Sequence, residues 1–295
     1  VIVDTCLFAG EREMLQLRML TLGTLVDAYA VVACTITHQG EPADVGLISG
    51  AFHEATAAAR LPVPSVLSWV EPSMILERNG RILERAPDER GPAGTPWFQH
   101  IERQHRDGMA GAVRMISDDP QTVVMMSDVD EIPTPECVAQ WHAWPMHEPE
   151  TLNARLVCAQ RFHSTALDLL HPQQPWWGTC VSLLGHCQPQ KHRDDRGTIG
   201  TPKQSVYVVD RGGWHFSWFG TDVDRARKLA TFSHAELTGK YDPLVGRVEQ
   251  KHSNGEQLVK LNVAETLALD WPAPLVDGSM PLPEYWVTDD VWRPA

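Results

Sequence analysis

QTVVMMSDVDEIP, residues 121–133, is the stretch on which the fold turns. Thr122 to Met126 form a run of β-branched and apolar residues with the length of a strand buried on both faces. The run ends in three acids within four positions, Asp128, Asp130 and Glu131. One aspartate there would mark only a turn. Three carboxylates held together repel one another and lose hydration, a cost that a bound divalent cation offsets. Alternate strand residues project to the same side, so Asp128 and Asp130 face one ion together. Oxygen ligation of this kind suits Mg²⁺ or Mn²⁺, with a phosphate group completing the shell. In open α/β sheets, ligands bind beyond the carboxyl ends of the strands, which is where these acids fall. Standing alone, D-x-D is too short to be specific, and a turn with solvated acids reads equally well.

Around that junction the pattern alternates between the two periodicities. Residues 97–116 have helical spacing, and PECVAQWHAW (135–144) reads as a short helix with Pro135 near its start. At the N-terminus, VIVDTCLF (1–8) reads as a buried strand. A helix follows, with Met14, Leu15, Leu17, Leu20, Leu22 and Leu25 on one stripe, Glu11 and Glu13 in the first turn and Gly23 near the end. AYAVVACTI (28–36) is a second strand and THQGEP (37–42) a polar turn. SGAFHEATAAARL (49–61) fits a helix capped by Ser49, and PSVLSWV (64–70) a third strand. Glu71 to Pro96 reads as a charged surface loop bearing Arg78, Arg81, Arg85 and Arg90. Further strands are expected at 154–163, 176–184, 204–210 and 212–220, and helices at 223–237 and 256–269, before a proline-rich tail. Strands alternating with helices favour an α/β fold, a mostly parallel central sheet flanked by helices. The expected organisation is one domain over residues 1–245, with 246–295 as a small C-terminal extension packing on it.

Composition narrows the function classes. The 295 residues carry 25 Lys and Arg against 38 Asp and Glu, a formal net charge of −13. That balance disfavours nonspecific binding to nucleic acid or anionic membrane, both of which reward a basic face. Hydrophobic residues at 43% and 11 Trp mark a packed globular chain. No run approaches the roughly 18 to 20 apolar residues of a membrane span, and no basic segment leads into an apolar one at the start, so the chain reads as cytoplasmic. Six cysteines are scattered without the spacing of a disulfide scaffold and read as reduced thiols. Cys180, His186, Cys187 and His192 supply zinc-type atoms but lack the paired spacing of a structural zinc site.

Four blocks together resemble the family 17 glycosyltransferases, whose members include β-1,4-mannosyl-glycoprotein N-acetylglucosaminyltransferases. They are DTCLFAGEREMLQLRML (4–20), VDAYAVV with THQGEP (26–42), MSDVDEIPTPE (126–136) and GGWHFSWFGTDVDRARKLATFSHAE (212–236). The chain departs from the family pattern at Ala33 and Glu41, and its central helix keeps only Ile101, Glu102, His105 and Arg106 of that segment. The resemblance implies a Rossmann-like GT-A fold, a UDP-sugar donor, Mn²⁺ or Mg²⁺, and transfer with inversion of a GlcNAc- or glucose-type sugar. The acceptor it implies is a glycan hydroxyl. A hydroxymethylated pyrimidine in DNA is the alternative, supported locally by the basic run Lys191, His192, Arg193, Arg196. A noncatalytic sugar or nucleotide module and a metal phosphohydrolase are the competing classes.

Roles follow residue by residue. Asp128, Asp130 and His215 are the candidate metal set, with Asp128 also a candidate donor contact at the ribose. Glu11, Arg225 and Lys228 are the other donor candidates, the two cations lying three apart on one helix to neutralise a diphosphate. Glu131, His234 and Glu236 are the catalytic candidates. Trp176, Trp177, Trp214 and Trp218 are candidate sugar-stacking residues for the acceptor. Gly212 and Gly213 are expected to let backbone approach a ligand closely. Arg18 reads as a structural ion-pair partner.

Overall fold

Strand β1 (Ile2–Leu7) sends alternate side chains into two different cores: Ile2 and Cys6 into one, Val3 and Leu7 into the other. Strands β2 (Ala28–Cys34) and β6 (Val123–Asp128) repeat the division, which is why both read as continuous apolar runs. The computed structural model describes residues 1–72, 75–78, 81–84, 97–142, 155–172, 174–201, 206–231, 259–261, 265–266 and 269–287. Helices α1 (Arg12–Leu22) and α2 (Val45–Ala59) fill the first core. Helix α3 (Trp97–Arg114) fills the second through Met109, Ala112 and Val113. The result is the expected α/β fold, helices on both faces of a central sheet.

Strand β3 (Ser65–Val70) lies outside β2, so β3, β2, β1 and β6 form a parallel block in that order. The chain moves outward from β1 to β3 and then returns to the far side of β1 as β6. The strand order therefore reverses between β1 and β6, and the crevice of an open sheet opens at their carboxyl ends. Beyond β6 the sheet continues through β10 (Trp176–Leu183), antiparallel to β6, and β8 (Leu156–Ser164), antiparallel to β10. Strand β11 (Tyr207–Ser217) runs parallel to β8 and also pairs with the short β7 (Glu131–Pro133). Residues 204–210 and 212–220 thus contribute to one bulged strand instead of two, with the register shift between Val209 and Gly213.

Three local expectations change. Helix α2 begins four residues earlier than Ser49, and Asp44 caps it, its carboxylate accepting from the Leu47 amide at 2.9 Å. The expected loop at 71–96 contains a hairpin, β4 (Ile75–Arg78) with β5 (Arg81–Glu84). Within the expected helix 256–269, Val259–Lys260 form β12 against β9 (Leu169–Leu170), where β-branched Val suits a ladder, and only Glu265–Thr266 are helical among the described residues. Helix α4 (Pro135–His142) follows β7, as the sequence indicates. Trp271, Leu275, Met280 and Trp286 join the same core as α1, and the Leu167 amide donates to the Trp286 carbonyl at 2.7 Å. All six cysteines are free thiols. Among the described residues no helix is long and apolar enough to cross a membrane.

Candidate active site

The DVDE turn sits at the carboxyl end of β6 and is fastened from several sides. Val129 N–H donates to the Leu7 carbonyl of β1, and Phe216 N–H of β11 donates to the Asp130 carbonyl at 2.9 Å. Arg18 of α1, fully buried, spans the distance from β1 to the turn. Its guanidinium pairs with both oxygens of Asp4 at 2.6 Å and donates to the carbonyls of Glu131 at 2.9 Å and Asp128 at 3.3 Å. Burial would lower the Arg18 pKa, but Asp4 holds it above the ordinary arginine value. Arg18 is therefore the expected ion-pair partner and also a clamp on the turn.

Gly213 serves this packing. Its φ is +146°, and a Cβ there would lie 2.1 Å from the Ile132 carbonyl oxygen. A Cβ on Gly212 would meet Cys158 Cβ at 2.6 Å. The backbones these glycines approach are those of β7 and β8, not a ligand's. The close approach sets His215 opposite Glu131 in register and carries its ring to the turn.

The three acids separate into different roles. Asp130, nine-tenths buried, faces His215 Nε2 at 3.6 Å with one oxygen and Lys228 Nζ at 3.2 Å with the other. Burial keeps the His215 pKa below its ordinary value despite the pull of Asp130, so the ring is neutral. Its Nδ1 is buried and has no partner among the described residues. Asp128 accepts from Arg106 of α3 at 2.8 Å and lies 3.8 Å from Arg193. Burial would raise its pKa, but Arg106 above all, then Arg193 and Arg196, hold it well below the usual carboxylate range. Glu131 is wholly buried and accepts from Arg196 at 2.8 Å, Arg193 at 3.1 Å, the Trp176 indole N–H at 2.7 Å and the Asp128 amide at 3.2 Å. Burial opposes its charge, yet the arginines bring its pKa down to about 2. A carboxylate so acidic and so fully engaged is a poor proton acceptor; it is the hub that positions Trp176 and the turn.

Lys228 belongs to helix α6 (Asp222–Thr231) and lies over the Trp218 ring, 5.7 Å from its centroid. Asp130 raises its pKa against the lowering effect of burial. Arg225, one turn earlier, is turned away, bonding the Gly220 carbonyl and Asp222. Glu11 caps the end of the β1 loop, its carboxylate accepting from the Ala9 amide at 2.9 Å, and its charge acts on Lys228. The tryptophans divide likewise. Trp176 stacks on His215 with ring centroids 4.5 Å apart, and Arg193 lies over it at 5.5 Å. Trp177 packs on the α3-side core, and Trp214 is buried with its indole N–H on the Asp270 carbonyl. His234 and Glu236 lie outside the described residues.

Arg193 and Arg196 contact the acids of the turn, whereas the sequence reading placed them in a separate basic run. Arg193 lies in the last turn of helix α5 (Pro189–Asp195) and Arg196 directly after it, and both turn inward to Asp128 and Glu131, while His192 is buried and Lys191 pairs with Asp195. The basic run is thus spent on the acids, and the local support for a DNA acceptor goes with it. Asp194 and Asp195 interrupting the run were the available signal that it is not a polyanion surface.

The described residues form no group of three or more His, Cys, Asp or Glu fit to cage a metal. Asp130 and the neutral His215 instead present two donors side by side, a third of a six-coordinate shell, which fits an ion that takes its remaining ligands from water and a substrate phosphate. Around the turn, Arg106, Arg193, Arg196 and Lys228 face Asp128, Asp130, Glu131 and Glu102, four cations against four carboxylates. Among the described residues these four cations are each already engaged by a carboxylate, so a diphosphate would have to share them.

The family model described as Glycosyltransferase family 17 matches residues 1–265. No curated protein matches the chain.

Proposed function

This chain belongs to glycosyltransferase family 17 and is a glycosyltransferase, and from that premise we propose that it moves a GlcNAc- or glucose-type sugar from a UDP-sugar to a glycan hydroxyl, with inversion and with Mn²⁺ or Mg²⁺. The reaction proposed is of the β-1,4-mannosyl-glycoprotein N-acetylglucosaminyltransferase type. The observation that supports a metal is the charge balance among the described residues around the turn, four cations on four carboxylates. A leaving diphosphate brings negative charge that these residues do not match, and desolvated charge needs a partner.

Asp130 and His215 hold the cation in this reading. When bound there, such an ion would supply Lewis-acid stabilisation of the departing diphosphate. Lys228, within 3.2 Å of Asp130, is assigned in this reading to the same diphosphate. Asp128, fixed by Arg106, orients the ribose, and Glu11 lines the donor side at the end of β1. Trp176 and Trp218 border the acceptor side, each covered by a cation, Arg193 and Lys228 respectively. With Glu131 committed to its arginines, the proton of the acceptor hydroxyl passes to His234 or Glu236.

The test is a donor screen by thermal shift with Mn²⁺, followed by mass spectrometry of glycan and modified-DNA acceptor pools. Asp130→Ala is expected to abolish transfer and to weaken Mn²⁺ binding by at least about tenfold, with the fold intact. Lys228→Met frees one Asp130 oxygen, so it is expected to tighten binding of Mn²⁺ alone while weakening UDP. Absence of UDP-sugar binding and of product with metal present refutes the proposal.

A further inference from the structure

His38 is a half-buried residue on the turn after β2, and its tautomer is dictated by a chain of contacts. At the inner end, the Val32 carbonyl can only accept. His105 Nε2, 2.9 Å away, must therefore be the N–H that donates to it. His105 is almost fully buried, and burial takes its pKa down to about 3, so the ring is neutral and its Nδ1 carries a lone pair. That lone pair faces His38 Nε2 at 3.2 Å, so Nε2 of His38 carries the proton. Burial also lowers the His38 pKa, leaving the ring neutral and its Nδ1 a bare acceptor.

The position of this acceptor is as defined as its chemistry. The His38 amide donates to the carbonyl of Thr231, three residues after Lys228 on α6, a rise of about 4.5 Å. Glu102, Arg106 and Asp128 are the charges that act on the imidazole. Lys228 contacts Asp130, Arg106 joins Asp128 to Glu102, and Glu102 and Asp128 act in turn on His38, which follows β2, one strand beyond β1 from the Asp128 end of β6. In the donor reading this succession of contacts is assigned to diphosphate, ribose and base.

We propose that His38, locked by His105 with Nδ1 as an acceptor, is the residue that selects the nucleobase of the donor, favouring uracil, whose ring N3 bears a hydrogen, over cytosine, whose N3 does not. The inference rests on the nucleotide-sugar reading above. Uracil and cytosine are nearly the same size, so shape alone separates them poorly. Two acceptors facing each other leave both unpaired, which is the strongest basis for rejection that a site of this kind has.

The experiment compares UDP, CDP and inorganic pyrophosphate, each with Mn²⁺, by calorimetry on the full chain. The wild type is expected to prefer UDP over CDP by about tenfold or more, and His38→Leu to bring the two within about twofold. Pyrophosphate affinity is expected to stay the same in that variant, because His38 lies beyond the diphosphate end. His105→Phe removes the lock and is expected to reduce the preference as well. Because His105 is buried, ¹H–¹⁵N correlation spectra of the wild-type imidazoles provide an independent reading: His38 protonated on Nε2 and bare on Nδ1. Equal binding of UDP and CDP, an unchanged preference in His38→Leu, or His38 protonated on Nδ1 overturns the proposal. Failure of any nucleoside diphosphate to bind overturns the donor reading itself and this inference with it.

Discussion

Replacing Arg18 by Met tests how the DVDE turn is held. The wild-type side chain is fully buried, and so is its partner Asp4, with both carboxylate oxygens at 2.6 Å from the guanidinium. Methionine fills much of the volume of the arginine stem but leaves Asp4 charged, buried and unpaired. Breaking a buried pair in this way costs about 3–5 kcal/mol. Loss of the bonds to the Asp128 and Glu131 carbonyls adds about 1 kcal/mol each. Against a typical total stability of about 5–15 kcal/mol this is a large fraction. At about 2–4 °C per kcal/mol for a chain of this size, the melting temperature falls by roughly 10 °C or more. Urea unfolding followed by tryptophan fluorescence measures the loss, and the double variant Asp4→Leu/Arg18→Met separates its parts. Removing both charges is expected to restore most of the stability, because the unpaired charge is gone, while transfer stays low because the turn has lost its clamp. A single variant within about 1 kcal/mol of wild type, or a double variant no more stable than the single, refutes the reasoning.

Two further outcomes follow from the same region. Glu131 has its pKa brought from 4.5 in the free group to about 2 by Arg196 and Arg193, so its stabilisation is fully present above pH 4.5 and is lost as pH falls through about 2. Unfolding free energy measured across that window is expected to decline steadily, and Glu131→Gln to flatten the slope. An unchanged slope contradicts the role assigned to Glu131. Gly213→Ala pushes a Cβ to 2.1 Å from the Ile132 carbonyl at a φ of +146° and is expected to destabilise by about 2–4 kcal/mol. Gly50→Ala, in helix α2 with open space around it, is the control, expected to be neutral or stabilising by up to about 1 kcal/mol. Similar losses in the two variants, read by thermal melts, refute the close-approach argument.

Sequence alone determined the framework, because the signals for it are local. Continuous apolar runs such as Val123–Met126 and Ala28–Cys34 indicate strands covered on both faces, and the α1 stripe indicates a helix covered on one. The GGWHF segment and the DVDE turn stood out for the same reason, since each is a short run of unusual residues, and the structure brings the two together. The sequence reading was incomplete where a residue's partner is distant in the chain. Nothing near Glu131 in sequence announces Arg193 and Arg196, more than 60 positions on, so the arginines' share in balancing the three acids was not legible. Tertiary structure decided that Glu131 and Asp128 are neutralised by arginines while Asp130 faces a histidine and a lysine. It likewise directed Arg225 back onto its own helix start, Trp214 into the core, and the two glycines onto neighbouring strands. The physical reason is the same throughout. A charge or a Cβ is useful or costly according to what lies within a few ångströms, and in a parallel α/β sheet those neighbours are brought together by crossovers that no local pattern records.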